Sequence, residues 1–274
     1  MKVFISADLE GIAGVVSWDQ TLRDGMGYKQ ACQWMTDEVI LLCEVAAEFN
    51  ATRIMVADSH LTRQNIDIDR LPDHVEIVQA GPRAYGMMHG IHTDQFDVAL
   101  CLGYHTGAHE EGLLNHTCNG AGFHQVRING KPADELDIYA PLAGHFGAPV
   151  GLITGDDAIC QSATKRYPHL EAVSVKTSTG RVSAICLPRD EALEKLRVGT
   201  RAALQKASSL PITKLEGPID FEIEFKWHHP AETLSLLPQF ERRGASAVGF
   251  TATDMTEIAK AIEFFGSYKL VPYP

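Results

Sequence analysis

Three short apolar runs constrain this chain more than any other feature: Val3-Phe4-Ile5-Ser6-Ala7, Arg53-Ile54-Met55-Val56-Ala57 and Asp97-Val98-Ala99-Leu100-Cys101-Leu102. Nearly continuous rather than alternating, they fit parallel strands covered on both faces by helices. Residues 28–49 supply one such helix, with Ala31, Met35, Val39, Leu42, Ala46 and Phe49 recurring every three or four positions. Pro149 to Thr154 predicts another strand, followed by a helix to about Tyr167. Farther on, the pattern gives a helix near 189–207, strands near 219–226 and Ala247–Thr251, and a helix from Asp254 to Phe265. Glu257 follows Asp254 at capping-box spacing. Phe123 to Ile128 reads as a strand entering a tight Asn129-Gly130 turn. A helix follows from about Asp134, which Pro141 must end or kink. The fold class is α/β: a mostly parallel sheet flanked by helices, with a smaller inserted or C-terminal α+β portion. Residues 1–274 read as one unit; if it divides, the core ends near 190 and a C-terminal α/β portion runs from about 190 to 274.

With 274 residues, 45% apolar and 22% charged, the chain can bury a sizeable core. Its 24 Lys+Arg against 35 Asp+Glu give a net charge of −11, which argues against a nucleic-acid or anionic-membrane surface. No run approaches a membrane span or a secretory leader. Six cysteines (32, 43, 101, 118, 160 and 186) form no C-x-x-C pair and read as reduced, small hydrophobes. A soluble, cytoplasmic protein is expected.

The apolar runs end in chemistry. In open α/β sheets, ligands bind beyond the carboxyl ends of the strands. Here those ends carry Asp8 and Glu10, Asp58-Ser59-His60, and Gly103-Tyr104-His105, while the 123–146 region adds Glu135. Carboxylates and imidazoles without thiolates suit Zn, Mn, Fe or Co. Asp8 and Glu10 are two apart, so both point the same way while the chain stays extended.

The motifs Ala7-Asp8-Leu9-Glu10-Gly11-Ile12-Ala13-Gly14, Asp58-Ser59-His60, Leu102-Gly103-Tyr104-His105, Asn115-His116, Glu135 and Gly155-Asp156-Asp157 occur in the order of the D-aminopeptidase family of metallopeptidases, which the chain resembles over roughly residues 1–265. The resemblance implies two divalent metal ions, zinc, sharing Asp8. Glu10 and His60 complete one site, and His105 and Glu135 the other. Three carboxylates against two dications leave one positive charge for a bridging hydroxide, the nucleophile of hydrolysis. His116 matches the catalytic histidine, as nucleophile, acid/base or oxyanion stabiliser; acid/base is preferred, because hydroxide already supplies a nucleophile. Asp58 could orient a ligand imidazole or be an ordinary strand-end acid. The implied substrate is a short peptide or amino-acid amide, with D residues expected, and the implied assembly is a homo-oligomer, a decameric ring. For that assembly, the 228–240 stretch and the apolar tail from Tyr268 to Pro274 are candidate subunit contacts.

Two other readings compete. A haloacid-dehalogenase-like phosphatase would need D-x-D and an acid four or five residues past Asp156, where Cys160 and Gln161 stand. A non-catalytic metal-binding homologue would need no His116. The remaining histidines, His89 and His92 included, read as surface or packing residues, and Gly107 to Leu114 is expected to shape the substrate pocket.

Overall fold

A computed structural model describes residues 1–268; the rest of the apolar tail lies outside the described residues. Two sheets organise it. The larger holds β1 (Lys2–Ala7), β2 (Arg53–Asp58), β3 (Val75–Val78), β4 (Val98–Leu102), β7 (Val150–Asp156), β8 (Glu171–Gly180) and β9 (Ser183–Cys186), in the order β3-β2-β1-β4-β7-β8-β9. All neighbours run parallel except β9, which forms a hairpin with β8. The smaller, antiparallel sheet orders β11 (Glu241–Arg242), β12 (Ala247–Ala252), β10 (Ile219–Phe225), β5 (Phe123–Ile128) and β6 (Lys131–Pro132).

Side chains alternate between the faces of the parallel sheet. Val3, Ile5, Val56, Leu100 and Leu152 pack against Met35, Val39 and Leu42 of α1 (Tyr28–Glu48) and Leu196 and Leu204 of α4 (Arg189–Lys206). Phe4, Met55, Cys101 and Ile153 face the other way. They meet Leu136 and Leu142 of α2 (Glu135–His145), Ile159 of α3 (Asp157–Arg166), Ile262 of α6 (Met255–Ser267) and the inner face of β10. A short α5 (His228–Leu234) lies between β10 and β11.

The smaller sheet is both inserted and C-terminal: β5 and β6 come from between β4 and β7, the rest from beyond residue 218. Across position 190, α4 packs with α1 on the parallel sheet. The Asn129-Gly130 turn closes the β5–β6 hairpin with positive φ at both residues, 51° and 74°. Pro141 does not end its helix, and α2 runs on to His145. Leu136, Ile138, Ala140, Leu142 and Ala143 are all buried, and that packing outweighs the one hydrogen bond a proline removes. At the start of α6, Asp254 caps Thr256 N, but Glu257 reaches back to Thr253 N instead of completing a box with Asp254.

Register positions the site. Ala7 lies opposite both Asp58 and Leu102, so β1, β2 and β4 end at one level and release their following residues side by side. The turn after β1 is then clamped from across the sheet. Lys176 of β8 is 1% exposed, and its ammonium donates to the carbonyls of Glu10 (2.6 Å), Ile12 (2.9 Å) and Val15 (2.6 Å). Burial draws its pKa down to about 8, yet three acceptors match the three hydrogens of the charged form. Lys176→Met strands three carbonyls, so urea denaturation should show a loss of roughly 2–4 kcal/mol at unchanged m. A loss below ~1 kcal/mol would mean that the clamp is not holding the turn.

Candidate metal centre

The chain does not stay extended through Asp-Leu-Glu. It leaves β1 at Asp8, whose N–H bonds Leu102 O, and turns so that Gly11 N donates to Gly103 O and Ile12 N to Leu9 O. Asp8 and Glu10 converge through this turn and not through strand alternation. Glycine is required on both sides of the contact. A Cβ on Gly11 would stand 2.3 Å from Gly103 C and Tyr104 O, and Gly103 has φ +74°.

The turn brings Asp8, Glu10, His60, His105 and Glu135 together, each less than 5% exposed. His60 Nδ1 lies 3.3 Å from Asp8 Oδ1 and 2.9 Å from Glu10 Oε2; His105 Nε2 lies 3.4 Å from Asp8 Oδ2 and 3.5 Å from Glu135 Oε1. The second nitrogen of each ring faces a backbone carbonyl: His60 Nε2 to Thr21 O at 2.8 Å, His105 Nδ1 to Thr106 O at 2.9 Å. A carbonyl only accepts, so these nitrogens carry the hydrogens in the neutral rings, and the lone pairs on Nδ1 and Nε2 point at carboxylate oxygens. Lone pairs facing lone pairs call for a cation between them. Glu10 Oε2 and His105 Nε2 are also buried with no hydrogen-bond partner. The donor set fits divalent ions such as zinc, and Asp8 offers one oxygen to each half.

The electrostatics agree. Among the described residues, no lysine or arginine pairs with these three carboxylates. Burial alone would depress the imidazoles, but Glu10 and Asp8 hold His60 well above its usual range, and Glu135 with Asp8 lifts His105 to about 10. Burial would raise Asp8, yet His105 and His60 hold it well below the usual carboxylate range. Burial pushes Glu135 up to about 7 against the pull of His105. These directions favour protonated imidazoles beside the carboxylates, and a metal ion bound there would displace those protons.

His116 stacks on His105 with ring centroids 4.1 Å apart, meets Trp18 edge-on at 5.5 Å, and places Nδ1 2.9 Å from Leu114 O. Burial and the neighbouring His105 draw its pKa down to about 4, so the ring is neutral at pH 7. The ligating-type atoms of His105, His116 and Glu135 lie within 4.8 Å of one another, as do those of Asp8, Glu10 and His105.

Asp58 does not touch the His60 ring, whose partner is Thr21 O. It accepts from Asn65 N, Asn65 Nδ2 and Ile66 N, and Asn65 Nδ2 also donates to His60 O, so Asp58 shapes the loop that carries His60. Gly107 to Leu114 does not line the cavity of about 1010 Å³ above the cluster; its walls come from residues near 18–22, 59–63, 116–121 and 262–268. Leu113 and Leu114 are buried instead, Leu113 N on Asp156 Oδ2 and Leu114 N on Arg181 O. Asp156 caps α3 through Ile159 N. His89 and His92 pack with Tyr85 and Phe146. Sequence reasoning missed Trp18, Thr21, Lys176 and Arg181, and no spacing signal marks them.

The D-aminopeptidase family, peptidase family M55, matches residues 1–264. The D-aminopeptidase of Bacillus subtilis (strain 168) is 31% identical over 266 residues, covering 96% of this chain and 95% of its own. Among solved structures, the Zn-dependent D-aminopeptidase DppA from Bacillus subtilis, a self-compartmentalizing protease, superposes with a TM-score of 0.91 at 28% identity over 97% of both chains. A carboxylate set between two oriented imidazoles, in a chain that the family matches over residues 1–264, leaves no place for the phosphatase reading: the chain belongs to the D-aminopeptidase family.

Proposed function

We propose that this metallo-aminopeptidase removes the N-terminal residue, a D residue, from short peptides and amino-acid amides, and that it holds two zinc ions. Asp8 is shared, Glu10 and His60 complete one site, and His105 and Glu135 the other. The observation that carries this reading is Asp8 itself, with Oδ1 facing one imidazole and Oδ2 the other. Ions bound there polarise a scissile carbonyl and make water acidic near pH ~7.

His116 moves the proton. With Nδ1–H donated to Leu114 O, Nε2 is the nitrogen that takes a proton from an attacking water and returns it to the leaving amine. The stack on His105 and the edge of Trp18 fix its plane. A ligand role for His116 is the second reading, favoured by its approach to His105 and Glu135. Zinc-loaded protein should hydrolyse D-aminoacyl amides ahead of their L forms and lose that activity to a chelator. In the same assay, His116→Ala should keep its metal while kcat falls by roughly 10²–10⁴; loss of metal in step with activity makes it a ligand.

The metal count has its own test. By elemental analysis, Asp8→Ala should lose more than one equivalent, whereas Glu10→Ala should empty chiefly one site. A wild-type protein that retains a single tight ion would remove the two-ion reading.

The same reading places the enzyme in the cytoplasm as a homo-oligomeric ring, a decamer. Six cysteines without a disulfide suit a reducing compartment. No helix among the described residues is long and apolar enough to cross a membrane. Beside α5, Trp227 is 67% and Leu236 82% exposed, apolar surface that a neighbouring subunit would cover. Light scattering should give a mass several times the 30.0 kDa chain; a single-chain mass would remove the ring.

A further inference from the structure

Two cations line this cavity without a carboxylate partner among the described residues: Arg181, in the turn between β8 and β9, and Lys226, just past β10. Arg63, which lines the same cavity, is by contrast neutralised by Glu263. Arg181 instead donates Nε–H to Asn115 Oδ1 at 2.9 Å, and its guanidinium lies 5.3 Å from the centre of the Trp18 ring. The Lys226 ammonium donates to Gly120 O. Gly120 packs on the His116 ring so closely that a Cβ there would meet it at 3.2 Å. Each cation is therefore one group away from His116, Arg181 across the indole and Lys226 across Gly120. Neutral partners hold both heads in place but leave their charge uncompensated.

The cavity is thus graded, with carboxylates and imidazoles on its floor and two exposed cations on its rim. A peptide whose N-terminal residue reaches the floor directs its other end toward that rim. The ring separations of 5.5 Å (His116 to Trp18) and 5.3 Å (Trp18 to Arg181) bound the span. Two or three extended residues, at ~3.3–3.6 Å each, cover it. A guanidinium with unused N–H groups matches a carboxylate in shape as well as charge.

We propose that Arg181, assisted by Lys226, binds the C-terminal carboxylate of a di- or tripeptide substrate, so that a free C-terminus at that distance is a specificity determinant. This rests on the aminopeptidase reading and adds the substrate class: short peptides with a free carboxylate are favoured over their amides and over longer chains.

The test compares D-alanyl-D-alanine with its C-terminal amide on zinc-loaded enzyme, wild type against Arg181→Gln and Lys226→Met. Arg181→Gln should lower the acid-to-amide ratio of kcat/KM by roughly 5–30-fold, chiefly through KM of the acid, with a smaller drop for Lys226→Met. Arg181→Lys should restore part of the ratio. Equal losses on both substrates would overturn the proposal and leave Arg181 a purely structural role through Trp18 and Asn115. An unchanged ratio in a fully active Arg181→Gln would overturn it too. Wild-type enzyme that cleaves neither substrate would instead refute the aminopeptidase reading, so the two failures are distinguishable.

Discussion

Three carboxylates buried within hydrogen-bond reach of two imidazoles are a charge problem, and much of the structure serves to hold it in one geometry. Buried acids without lysine or arginine partners are costly unless a cation joins them. The fold makes that cation's place by aiming ring lone pairs. Thr21 O and Thr106 O take the N–H of His60 and His105, which leaves the opposite nitrogens directed at Asp8, Glu10 and Glu135. A backbone carbonyl is a rigid partner, so the orientation of the rings is set by main-chain geometry.

The Lys176 ammonium is the counterpart of that arrangement on the far side of the turn. It gathers three carbonyls of the 10–15 segment and so fixes the path of the chain from which Asp8 and Glu10 project. Its charge also lies near the acidic cluster without touching a carboxylate oxygen, where a direct ion pair would compete with any bound metal. Glu135 enters from another layer as the first residue of α2, capped by Asp134 and held through Oε1 by Cys118 N. Another tie joins the two sheets across the cavity. Glu263 of α6 grips Arg63, three residues past His60, with both oxygens at 2.7 and 2.6 Å, and also accepts from Arg83 N. The loop that carries His60 is therefore anchored by Asp58 at its base and by the C-terminal helix at its tip.

Legibility in the sequence followed burial. β1, β2, β4 and β7 stand in the middle of the parallel sheet, covered on both faces, and their apolar runs say so without context. β3, β8 and β9 lie toward the edges with mixed exposure, carry no such run, and are recognised only through their neighbours. Pro141 shows the reverse: of the two outcomes its ring predicts, an end or a kink, packing set aside the end, and α2 runs on to His145. The six candidate site residues stood near strand ends, in short motifs or, for Glu135, at a helix start, where the identity of a side chain is itself the signal.

What the sequence determined by itself is therefore the sheet's interior, the α1 helix, the β5–β6 hairpin and the inventory of acids and imidazoles at the strand ends. These depend on local pattern: hydrophobic period, turn chemistry, and the rule that strands end where polar residues begin. Only the tertiary structure decided that Asp8 and Glu10 converge through a turn, that carbonyls of Thr21 and Thr106 orient the rings, that Lys176 clamps that turn and that Arg181 lines the cavity. The physical reason is that these contacts join backbone atoms or residues far apart in the chain. A backbone carbonyl is the same whatever its side chain, and Lys176 stands 166 residues from Glu10, beyond any pattern that local spacing can carry.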